Sequence, residues 1–322
     1  THCISSAASD VYKRQSTLRH AMISAVEFAL HVLVTQAIGN KSTVVVQDQE
    51  WITRLEKGLE HDETVISSVK KELQNVEGLS DFLSLLLDEF AVKDNYGKDI
   101  AVSDISSPIF GKIFLKLISL SPQTVVEKLS PQVPRLIAIV ENAKVTREDT
   151  IQQAANSIGI IASHPINSNE DNLQLLQNIV TFLQSTDTKQ LNNHGRLLTL
   201  GFLTSRLFLR GRDILSNDDV QKVYGIIGES VSSTDSRLSG AAITAISQLA
   251  QFGGFGPDLT NPDVDVIKKQ ILESLKAKVK KLDEKSMIAW SLLSLSEVES
   301  DSKDFTTFEE VIYDTHLSLI HI

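Results

Sequence analysis

The sequence predicts an all-α protein, an α-solenoid of antiparallel helix pairs, and three observations carry that prediction. Beyond Trp51 nearly every apolar residue recurs at helical spacing, the seven prolines fall near expected helix starts or in turns, and one helix pattern returns along the chain. A helix pair cannot cover its own apolar stripe, so successive pairs must stack on one another.

Taken in order, the first element is an amphipathic helix from Ser16 to Ile38. Ala21, Ala25, Phe28 and Val32 follow helical spacing beside Met22, Leu30 and Leu33, and Gly39-Asn40 supplies the stop. The β-branched run Thr43-Val44-Val45-Val46 has the composition of a strand, but no second strand-like segment exists to pair with it. It is expected to be an extended stretch lying on helices. Asp62 to Asn75 with Leu79 to Ala91, and Pro108 to Leu120 with Thr124 to Leu129, form two less regular helix pairs.

The regular array follows. Ala154 to Gly159, Arg196 to Gly201, Ala242 to Ser247 and Ile288 to Leu293 align as four similar helices. Ile158, Leu200, Ile246 and Leu292 are separated by 42, 46 and 46 residues, a period that belongs to two-helix HEAT-type units. Polar turns precede each aligned helix (Thr146 to Asp149, Asp187-Thr188, Thr234-Asp235, Asp283) and supply capping oxygens. Small residues at Ala155, Gly159, Gly201, Ala242, Ala245 and Ala289 let neighbouring backbones approach closely. The fold expectation is thus a solenoid of HEAT-like antiparallel pairs over residues 16–310, as one continuous segment.

The flanks are expected to be foreign to that array. Residues 1–15 lack a hydrophobic secretory core, and Ser6 to Gln15 reads as translated sequencing-adapter sequence; residues 311–322 end in a similar tail. On that reading the chain is an internal fragment of a longer reading frame, and His2, Cys3, His316 and His321 carry no functional weight.

Composition narrows the function classes. Lys and Arg total 31 against 41 Asp and Glu, a formal charge of -10 that disfavours binding to phosphate backbones or anionic lipid. Residues 51–100 hold six basic and eleven acidic side chains and residues 301–322 one and five, so those blocks account for nearly all of the excess. No apolar run of about 18 residues is present, which leaves no transmembrane helix. The single cysteine allows neither an internal disulfide nor a thiolate zinc site, so the chain reads as cytoplasmic or nuclear.

Signatures of chemistry are missing in the same way. There is no GxxxxGK[ST] loop, no GxGxxG turn between strand and helix, no HExxH and no GxSxG elbow. The cluster Gly253-Gly254-Phe255-Gly256-Pro257 reads as a helix stop and inter-repeat loop. The histidines His20, His31, His61, His164 and His194 show no metal-ligand spacing, and carboxylate pairs such as Asp88-Glu89 read as charged helix faces. No enzyme activity, cofactor, metal or small-molecule substrate is expected. Trp51 and Trp290 read as packing anchors.

Two basic features remain. Lys268, Lys269, Lys276, Lys278, Lys280, Lys281 and Lys285 alternate with Ile267, Ile271, Leu272, Leu275, Val279 and Leu282, the pattern of a solvated outer face over a core stripe; a docking strip for an acidic partner is the competing reading. Arg206, Arg210 and Arg212 follow an apolar run, with Arg206 and Arg210 four apart on one helical face near a repeat end, and they are the candidate partner-binding residues.

Particular strings go further than periodicity. Thr43 to Trp51 (TVVVQDQEW), Leu55 to Val69 with Asp62-Glu63-Thr64, Leu85 to Ala91 (LLLDEFA), Ser107 to Leu115 (SPIFGKIFL) and Ile288 to Leu293 (IAWSLL) resemble, in order, the fungal members of the giant HEAT-repeat proteasome adaptor and scaffold family. The resemblance runs from about residue 20 to 310. It implies a non-enzymatic α-solenoid that binds the proteasome, bridging core and regulatory particles and supporting assembly or quality control. No contact residue of the family maps onto a motif here. Another HEAT-type binding scaffold, such as a nuclear transport receptor, is the alternative.

Overall fold

The computed structural model describes residues 63–90, 106–141, 148–164, 167, 169–185, 193–251 and 262–279. These are helical almost throughout, and no strand occurs among the described residues. The fold is all-α. By contact the chain divides into two compact units, Thr1–Leu129 and Ser130–Ile322.

In the first unit α1 (Glu63–Leu73), α2 (Leu79–Phe90), α3 (Ser106–Leu120) and α4 (Gln123–Leu129) occupy the places that periodicity assigned to two pairs. Gly78, at φ +73°, makes the turn into α2, a backbone region that side chains rarely adopt. Pro122 stands immediately before α4, and its carbonyl accepts hydrogen bonds from the N–H groups of Val125 and Val126 at 3.0 and 3.3 Å. Leu73, Leu83, Leu86, Leu87, Phe114 and Ile118 fill the core of this unit. Helix α3 packs on both α1 and α2, and α4 packs on α2.

The second unit contains α5 (Val133–Glu141), α6 (Glu148–Ala162), α7 (Asn169–Ser185), α8 (Asn193–Arg210), α9 (Asn217–Val231), α10 (Ser236–Gln251) and α11 (Pro262–Val279). Short 3₁₀ helices occupy Ser130–Gln132 and Arg212–Ile214. Packing alternates along the chain: α6, α8 and α10 form one layer, α7, α9 and α11 the other, and each even-numbered helix also packs on the helix before it. That is a two-layer stack of helix pairs, an α-solenoid segment of the expected HEAT-like kind.

Pair geometry follows from individual contacts. Arg210, the last residue of α8, reaches Asn169, the first of α7, while Arg196 near the start of α8 lies over Phe182 near the end of α7, so the two helices are antiparallel. Helices α6 and α8 run parallel, since Gly195 lies against Ile151 and Gly159 against Phe202. A Cβ on Gly201 would stand 2.5 Å from the Cβ of Ala245, so α8 and α10 touch through small residues, 44 positions apart. Ile151 and Gly195 are also 44 apart and Gly159 and Phe202 are 43 apart. Real interhelical contacts therefore keep an even register, where the aligned apolar positions drift between 42 and 46.

Those aligned positions are nonetheless core. Ile158, Leu200 and Ile246 are each fully buried; Leu292 lies outside the described residues. Helix α8 is buried nearly all round from Asn193 to Ser205, Arg196 excepted, as befits a helix flanked on both sides within its layer and backed by the other layer. A cap formed at one expected turn: Asp235 accepts from Arg237 N–H at 2.9 Å to open α10, whereas Asp149 lies within the first turn of α6, where its carboxylate accepts from Thr150 N–H at 3.1 Å. The Asp187-Thr188 and Asp283 turns, the Ser16–Ile38 helix, the Thr43–Val46 run, both tryptophans, the glycine cluster, the fourth aligned helix and both flanks lie outside the described residues.

One expectation needs correcting. Lys268 does not belong to a solvated face: it is buried, with Nζ 5.7 Å from the Tyr224 ring centroid and 3.5 Å from the Asp265 carboxylate. Its aliphatic stem lines the α9–α11 interface while the charge is met by a ring face and a carboxylate. Lys269 is exposed, and Ile271 and Leu275 are core, as expected.

Candidate functional site

The arginine trio sits at the C-terminal end of α8. Arg206 is half-buried and engaged within the fold, and burial lowers its guanidinium pKa from the ordinary value, because low-dielectric surroundings disfavour the charged form. Arg210 donates through Nη2 to the Asn169 side-chain oxygen at 3.0 Å. Arg212 opens the 3₁₀ helix beyond Gly211. Leu209 between them is 56% exposed. Acidic groups share this end of the pair: Glu170 and Asp171 in the first turn of α7, and Asp213, whose carboxylate stands where a Cβ on Gly211 would fall. Arg206 and Arg210 thus share a helical end, but one is drawn into the fold and the other is tied to α7.

A second group lies at the opposite end of α8, and sequence spacing did not reveal it. Arg196 Nη2 donates to Glu141 Oε1 at 2.8 Å, and its guanidinium lies 3.4 Å from the centroid of the Phe182 ring. His194 Nε2 lies 3.3 Å from Glu148 Oε1, at ion-pair range without a well-directed hydrogen bond. His194 is 3% exposed. Arg196 and Glu141 are 55 residues apart, so no helical periodicity links them. The available signal was the exception: one Arg inside an otherwise apolar or small-residue string, Gly195-Arg196-Leu197-Leu198.

In the first unit an open groove of about 460 Å³ runs between the α1–α2 turn and the start of α4. Its lining is more polar than apolar: Gln74, Glu77, Ser80, Thr124 and Lys128 stand beside Val76, Pro122 and Val125, while Leu73 and Leu79 beneath are buried. Among the described residues no group of three His, Cys, Asp or Glu side chains is placed to hold a metal ion. No helix among them is long and apolar enough to cross a membrane.

No family model matches the chain. It is similar to the Proteasome component ECM29 of Saccharomyces cerevisiae, at 25% identity over 310 residues. That match covers 94% of this chain but only 16% of the yeast protein, so the similarity is distant and spans a small part of a much longer relative.

Proposed function

We propose that this chain is part of a non-enzymatic HEAT-repeat scaffold that binds the proteasome, where it bridges core and regulatory particles and supports assembly or quality control in cytoplasm and nucleus. The observation that carries the reading is the similarity to a protein named as a proteasome component over 94% of this chain. The two-layer stack agrees with it, because an array of helix pairs exposes long faces for protein partners rather than a single enclosed pocket. The bridging role and the two particles as partners extend beyond the relative's name and come from the resemblance of the quoted strings, and the two compartments come from the single cysteine.

The test is affinity purification of proteasomes, at low salt, from cells that express the tagged parent protein. Co-purification with assembled particles, lost when residues 130–279 are deleted, is the expected result. Absence of the protein from particles that retain both core and regulatory subunits overturns the reading. Capture instead by a GTP-loaded small GTPase would favour the transport-receptor alternative.

A further inference from the structure

We draw no further inference here: the strongest candidate, the seam between the first turn of α7 and the last turn of α8, where Asn172 Nδ2 and Arg210 Nη1 are buried without a hydrogen-bond acceptor, lies beside the carboxylates already described at that end, and nothing in the structure shows what would occupy it.

Discussion

At Gly201 a single missing carbon sets how closely two helices meet. Adding one would place it 2.5 Å from the Ala245 Cβ and 2.7 Å from its Cα, both rigid helix atoms. Gly201→Ala is therefore expected to force α8 and α10 apart and lower stability by about 1–3 kcal/mol in urea unfolding, despite alanine's better helix propensity. Gly225 in α9 is the internal control. A Cβ on Gly225 would meet nothing within 4 Å, so Gly225→Ala is expected to stabilise by about 0.5–1 kcal/mol. Equal effects at the two glycines would contradict the assigned packing. The aligned helix pattern already marks Gly201 and Ala245 as close-approach positions and gives Gly225 no such role; the three-dimensional stack adds that these two, 44 positions apart, meet each other. Lys268 teaches the same lesson, because a ring and a carboxylate can shelter an amine that periodicity assigns to water.

The helices themselves were the most legible feature. Apolar spacing and punctuation placed α1 to α4 to within a few residues, and Asp235 was readable as a cap because an acidic side chain before a helical run has one strong local role. Asp235→Ala is expected to cost about 1 kcal/mol and to fray the first turn of α10. Thr234→Ala, one residue earlier and exposed, is expected to change little. Urea midpoints for the two variants, measured side by side, check the assignment, and a larger loss at Thr234 would move the cap. Ser216 plays the corresponding part for α9, accepting from Asp219 N–H at 3.1 Å and donating to the Asp219 carboxylate at 2.6 Å. Contacts between elements were much less legible. The Arg196–Glu141 bond joins residues 55 apart with two helices between them in the chain, and no local rule selects one glutamate among many. Arg206 and Arg210 were legible as neighbours on a face, but the burial of the first and the bond of the second to Asn169 at the start of α7 come from the tertiary packing.

For the molecule as a whole, the account depends on stability being passed from pair to pair. Leu197, Leu200, Leu203 and Leu207 of α8 are each fully buried, and helices on both sides within the layer supply that cover. Removing one end should then weaken the neighbouring pair without dissolving the rest. The most direct measurement is circular dichroism and thermal unfolding of the chain truncated after residue 231, which lacks α10 and α11. The stacked array predicts retained helical signal per remaining residue, with an earlier melting step where α8 has lost its cover. Collapse of helicity through α5, α6 and α7 as well, in a single all-or-none loss, would contradict it.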